Sequence, residues 1–208
     1  MLTMDKDGVV RDARIKVRLI PQIAHGPLTH IDAIVVHQTD SATAKGTMEG
    51  YRTGAKGTGA HFLIDKDGTI YQVVPLKKKC WHVAPIKSRC LMEHTCSPAE
   101  QQFYYELGNK LHGHVHEYNL AVDRHERTKK YPDRYPGNDD AIGIEITGRA
   151  LNRFKDDPAY EPLTEQEQRS LHWLVQELLN TLNLVRSDVY RHPQLSFKRE
   201  GEAADAKW

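Results

Sequence analysis

Two histidines follow short apolar runs far apart in the chain: His37 closes "IVVH" and His192 closes "DVYRH". A histidine at the C-terminal edge of a strand sits where open α/β sheets place their sites. Neutral imidazole is the commonest zinc ligand, and a catalytic zinc takes three protein ligands with water in the fourth position. A pair of such histidines therefore points to a shared metal. Glu200 and Glu202 stand eight and ten residues beyond His192, across a turn containing Gly201, and either carboxylate can fold back as the third ligand. The spacing does not choose between them. A further acid, Glu145, stands between isoleucines in "IGIEITG". A charge in that setting is costly unless it is used.

These residues need strands and a helix to hold them. Alternation in "RIKVRLI" (14–20) predicts an edge strand, and "IDAIVV" (31–36) a more buried one. Two β-rich runs flank Asp67-Gly68, a dipeptide that accepts the positive φ of a tight hairpin. Asp65 and Asp67 resemble the start of a calcium loop, but the later ligands are absent. "AIGIEITG" (141–148) restores a strand around Glu145, and "SDVYRH" another before His192, where Pro193 ends it. Between them, Thr164 and Glu167 have capping-box spacing, and Leu171, Leu174, Leu178 and Leu182 form an apolar stripe. The expectation is an α/β fold with a central mixed sheet flanked by helices.

From Cys80 to Asn138 the chain is polar and weakly periodic, with 98–112 as its one expected helix. This stretch reads as an insertion at about 80–138 draped over a single domain spanning 1–208, with 1–25 as an N-terminal extension. Length fits one domain, because single cores hold on the order of 100 to 200 residues. A net charge of +1 gives no global attraction to nucleic acid or anionic lipid. No apolar run approaches the roughly 18 residues of a membrane span, and the first residues carry acids in place of a signal-peptide core. The expectation is a soluble protein synthesised in the cytoplasm without a signal peptide. Three cysteines, Cys80, Cys90 and Cys96, allow at most one internal disulfide.

"IVVHQTDS", "GAHFLIDKDGTIYQVV", "IGIEITG" and "YRHPQLSFKREGE" occur in the order and with the character of the AmpD-like (Amidase_2) zinc-dependent N-acetylmuramoyl-L-alanine amidases. The chain resembles that family, whose fold is shared with peptidoglycan recognition proteins and phage amidases, over most of its length apart from the insertion and the first 25 or so residues. The resemblance implies His37 and His192 as zinc ligands. The family's third ligand is an aspartate ten residues after the second histidine, or a cysteine eight residues after it. Here those positions hold Glu202 and Glu200, and Glu202 is favoured, with Glu200 in reserve. Glu145 matches the acid that takes a proton from the attacking water and passes it to the leaving amine. Lys198 matches a lysine that stabilises the oxyanion. A tyrosine found in the phage branch just before the "HF" motif is replaced by Ala60, which excludes catalysis by a tyrosine at that point.

The resemblance also makes His82, with Trp81, a lining of the groove that receives peptidoglycan or muropeptide; core packing of Trp81 is the competing reading. His61 is expected to pack or hydrogen-bond beneath the site. "HGHVH" would project His112, His114 and His116 to one face if it were a strand. Cys80, His82, Cys90, His94 and Cys96 lack the paired C-x2-C spacing of a structural zinc site, and a Cys90–Cys96 disulfide competes with that reading.

The implied activity is hydrolysis of the amide between N-acetylmuramic acid and L-alanine. A recognition module that binds peptidoglycan without cutting it is the alternative, kept open by glutamate at the third ligand position. Three roles fit: muropeptide recycling in the cytoplasm, a phage endolysin released by a holin, or a type VI secretion effector acting in a rival's periplasm. The insertion favours intact wall and an antibacterial role, with an immunity protein as partner and a monomeric enzyme.

Overall fold

The computed structural model describes residues 1–152 and 159–208. Six strands form one sheet: β1 (Ile15–Val17), β2 (Ala33–Gln38), β3 (Phe62–Ile64), β4 (Ile70–Gln72), β5 (Ala141–Ile146) and β6 (Val189–Arg191). Their order across the sheet is β1-β4-β3-β5-β2-β6. Among the described residues the β3–β4 hairpin is the antiparallel strand pair and the other strand pairings are parallel, so the sheet is mixed as expected. Gly68, at φ 82°, makes the hairpin turn. Asp65 and Asp67 spend their carboxylates on backbone amides of Ala44, Lys66 and Thr69, which answers the calcium-loop pattern.

All six residues of β2 are buried, as a strand covered on both faces requires. Period-two alternation then sorts the side chains. Ile34, Val36, Phe62, Ile64, Ile142, Ile144 and Ile146 face α5 (Glu165–Leu182), whose Leu171, Leu174 and Leu178 are fully buried in the same cluster. Each such leucine contributes on the order of 1.5–3 kcal/mol of burial. The Thr164–Glu167 capping box closes the helix N-terminus as the sequence predicts. Residues of the opposite parity, His37 and Glu145 among them, point to the other side of the sheet. Leu2 and Val10 join the α5 cluster, so part of the expected N-terminal extension is built into the core.

The 80–138 stretch departs from expectation. It holds three helices, not one: α2 (Arg89–Glu93), α3 (Pro98–Lys110) and α4 (Val115–Glu126). α1 (Ala44–Thr53) precedes them, and α6 (His192–Leu195) follows β6. The extra helices escaped the pattern because they bury so little: Cys90, Tyr104 and Val122 carry their shared cluster. Glu126 is buried there beside the Tyr104 hydroxyl and the Lys129 ammonium. A Cys90–Cys96 disulfide ties α2 to the start of α3, and Cys80 is a buried free thiol, so the cysteine–histidine zinc cluster does not form. His112 lies in a turn, His114 caps α4 and His116 lies within it, so "HGHVH" is not a strand. Among the described residues no helix is long and apolar enough to cross a membrane.

Candidate metal centre

β2 and β5 lie side by side with His37 and Glu145 as register partners. On the far side of β2, the short β6 ends at Arg191 and His192 opens α6, which aims its ring back towards β2. The chain then turns, with Ala203 in the left-handed region at φ 55°, and Glu202 folds inward. The three groups meet. His37 Nδ1 lies 2.9 Å from His192 Nδ1, and Glu202 Oε1 lies 3.0 Å from His192 Nδ1 and 3.4 Å from His37 Nδ1. One ligand atom from each falls within 4.8 Å of the others, and all three residues are buried. Glu200 instead extends to solvent, its side chain 71% exposed, and pairs with Lys87 at 3.3 Å. The geometry thus brings Glu202, and not Glu200, to the histidines.

Electrostatics suit a cation. Burial, then the neighbouring His192, lowers the His37 pKa to about 4, so its ring is neutral near pH 7 and keeps a lone pair. Burial would raise the Glu202 carboxyl, but the His192 hydrogen bond and the two neighbouring imidazoles outweigh it and hold the group ionised. A second grouping, His30, Asp32 and Asp140, is unlike this one: Asp140 already binds Arg134 and the Gly137 amide, and His30 is exposed.

The three candidate ligands line a cleft of about 480 Å³, which also contains Glu145, Lys198, Trp81 and His82. Glu145 is half-buried at the cleft, and desolvation, then the Glu202 charge, raise its pKa to about 8 against the opposing Lys198 ammonium. Its Oε2 has no hydrogen-bond partner. A buried, unpaired carboxylate oxygen facing a cleft is poised to accept a proton from something that enters it. Trp81 is 47% exposed, which removes the core-packing reading; it stacks on His25 with ring centroids 3.7 Å apart.

Residues 27–207 match the sequence profile of the family described as N-acetylmuramoyl-L-alanine amidase. The chain belongs to that family. As a member it is a peptidoglycan amidase, and the sequence resemblance is borne out. Among curated proteins the sequence finds no match. Among solved structures it is similar to a selenomethionine derivative of AmpD, with 18% identity, 95% of this chain and 90% of that chain covered, and a TM-score of 0.53. It is also similar to the catalytic domain of PlyG, with 15% identity, 88% and 81% covered, and a TM-score of 0.51. The amidase LysC from Clostridium intestinale URNW aligns at 20% identity over 88% and 85%, with a TM-score of 0.49. At these identities the likeness to AmpD and PlyG is one of fold, and it agrees with the amidase-like mixed sheet.

Two features of this amidase's cleft were not read from the sequence. Tyr51, on α1, is half-buried, with its hydroxyl buried and unpaired, and its ring lies against Gly59, where a Cβ would stand 3.1 Å from the Tyr51 Cε1. Ala44, Met48 and Tyr51 share one helical face at i, i+4 and i+7 spacing, which is the signal that places Tyr51 inward. Tyr160 joins the cleft to a second hollow, sharing Asp40, Lys198 and Glu202 with it. No local pattern marks Tyr160. His61 behaves as expected, held beneath the site by the Lys78 carbonyl at 2.9 Å and the Gly143 amide at 3.0 Å.

Proposed function

We propose that this chain is a zinc-dependent enzyme that hydrolyses the amide between the lactyl group of N-acetylmuramic acid and L-alanine, with His37, His192 and Glu202 holding the metal. The observation that carries this is the convergence of those three ligand atoms on the floor of a cleft that also holds Glu145. Two imidazoles and one carboxylate are a donor set suited to zinc; calcium and magnesium favour oxygen ligands alone. Zinc bound there would supply Lewis acidity to the scissile carbonyl and acidify water.

The chain's own residues would do the rest. Glu145, with its free Oε2, receives a proton from the attacking water and returns it to the leaving amine of L-alanine. Its raised pKa suits that exchange, since a group that both takes and gives a proton works best near the ambient pH. Lys198, lining the same cleft, supplies positive charge to the oxygen of the tetrahedral intermediate. Trp81, propped by His25, offers an apolar face to the substrate.

The joined hollows through Tyr160 support an extended substrate such as intact wall, with the whole chain acting as one monomeric domain. The Cys90–Cys96 disulfide supports action in an oxidising compartment, as an antibacterial effector or endolysin reaching the periplasm of a target cell would meet. An immunity protein covering the cleft belongs to the effector form of this reading.

The test is digestion of purified sacculi by the wild-type protein and by Glu145→Ala and Glu202→Ala, with zinc measured in each. Release of stem peptides beginning with L-alanine, lost with zinc retained in Glu145→Ala and lost together with zinc in Glu202→Ala, is expected. Sacculus binding without any product, with zinc supplied, would instead identify a recognition module.

A further inference from the structure

His82 contacts no ligand atom of the metal cluster, yet its ring is tied at both nitrogens. Its Nε2 lies 3.2 Å from the carbonyl oxygen of Ala141, and its Nδ1 lies 3.0 Å from His37 Nε2. A carbonyl can only accept, so His82 Nε2 carries the proton. The ring's two nitrogen contacts are a backbone carbonyl and another imidazole, with no carboxylate to balance a second proton, so with Nε2–H donated to Ala141 the Nδ1 bears a lone pair. That lone pair must accept from His37 Nε2–H. With its only proton on Nε2, neutral His37 has its lone pair on Nδ1, the atom that faces His192 and Glu202.

We propose that His82 is a positioning residue for the metal: it passes the fixed polarity of the Ala141 carbonyl through its ring and locks His37 in the tautomer that offers Nδ1 to the ion. The inference rests on the reading of His37 as a ligand and adds how that ligand is set.

The placement of His82 is itself built. Asn138 Oδ1 accepts from the backbone amides of His82 and Val83 at 2.9 and 2.8 Å, while its Nδ2 donates to the Val83 carbonyl at 3.0 Å. Gly143 leaves space for the ring, since a Cβ there would stand 2.9 Å from His82 Cγ and Nδ1. His192 has no comparable support. The Ala84 amide points at its Nε2 from 3.4 Å, and an amide is a donor where an acceptor would be needed to fix the same tautomer. His37 is therefore the pre-set ligand of the two. With both nitrogens engaged, His82 lines the cleft by its ring edge and has no polar atom to spare for substrate.

Metal ligands commonly have their second nitrogen oriented by a fixed partner, and loss of such a partner weakens metal binding roughly 10–100-fold. The test measures the zinc dissociation constant of the full-length chain by chelator competition for the wild type, His82→Phe, His82→Asn and His37→Ala. It also records the ring-nitrogen NMR shifts of His37 in the metal-free wild-type protein. Expected are a zinc affinity reduced roughly 10–100-fold in His82→Phe, substantial recovery in His82→Asn, whose Oδ1 restores an acceptor near the Nδ1 position, and an Nε2-protonated His37. Wild-type-like zinc affinity in His82→Phe, alongside severe loss in His37→Ala, would overturn the role of His82 and leave His37 a ligand. Unchanged affinity in His37→Ala would overturn the ligand reading itself. Should His82→Phe fail to fold, a wild-type His37 protonated on Nδ1 overturns the proposal without any variant.

Discussion

His37 and Glu145 are register partners on adjacent parallel strands, so the first candidate metal ligand and the candidate proton carrier share one rung and one face of the sheet. Neither needs a flexible loop to reach the other. This fixes the geometry between them to the precision of a hydrogen-bonded ladder, which is the setting in which general acid–base chemistry gains most.

Glu145→Gln keeps the shape of the side chain and removes its capacity to exchange a proton. Turnover on sacculi should fall roughly 10²- to 10⁴-fold while zinc content stays equal to wild type. Equal loss of metal and activity would assign Glu145 to holding the site together.

Glu202→Ala removes the carboxylate that bonds His192 and stands 3.4 Å from His37 Nδ1. Zinc affinity should collapse, and Glu200→Ala should leave it unchanged, because Glu200 faces solvent and Lys87. Metal analysis after gel filtration reads both. A dependence on Glu200 instead would reverse the ligand assignment.

Tyr51→Phe removes a buried hydroxyl that has no partner in the described structure. Unfolding stability should rise by about 1 kcal/mol, since an unsatisfied buried polar group is destabilising. If that hydroxyl serves the substrate, kcat/KM should drop roughly tenfold at the same time, which corresponds to about 1.4 kcal/mol of transition-state stabilisation. Opposite movements of stability and activity are the expected signature, and a variant gaining stability without losing activity would leave Tyr51 a packing residue.

His61 supplies an acid-sensitive element away from the ligands. Burial lowers its pKa to about 4 from an ordinary 6.5, so the unfolded chain binds the proton first. Its contribution is fully present above about pH 6.5 and is lost as pH falls towards 4, a change of about 3 kcal/mol across that window. The melting temperature of His61→Gln, which cannot titrate, should fall less steeply than wild type between pH 6.5 and 4.5. Parallel pH profiles would refute this.

The Cys90–Cys96 loop closes six residues in sequence. Reduction should cost about 2 kcal/mol by the chain-entropy argument, borne by α2 and α3. Zinc affinity should be unaffected, because all three ligands lie outside that loop. Loss of metal on reduction would show instead that the helical region braces the ligands.

Much of this arrangement could be read from local pattern, and the rest could not for identifiable reasons. The strand ends at His37 and His192, the Asp67-Gly68 turn and the Thr164 cap each rest on a few adjacent residues. The choice of Glu202 over Glu200 depends on a turn through Ala203 that no spacing rule anticipates. α2 and α4 were hidden because their buried faces are only one or two residues wide. The link from Ala141 through His82 to His37 joins three separate segments by main-chain and ring atoms, and such contacts leave no trace in residue periodicity.

The two histidines at the centre stand 155 positions apart, and Glu202 comes later still. A ribosome extending this polypeptide has long since released β2 when it makes β6, so during most of synthesis no complete set of ligands exists. On the metal reading proposed above, capture of an ion can only follow closure of the sheet from both sides, and bound metal, by favouring the closed form through mass action, would act as the final latch of folding. Hydrolytic competence thus becomes a report on finished assembly: a nascent or half-folded chain has no means to cut an amide.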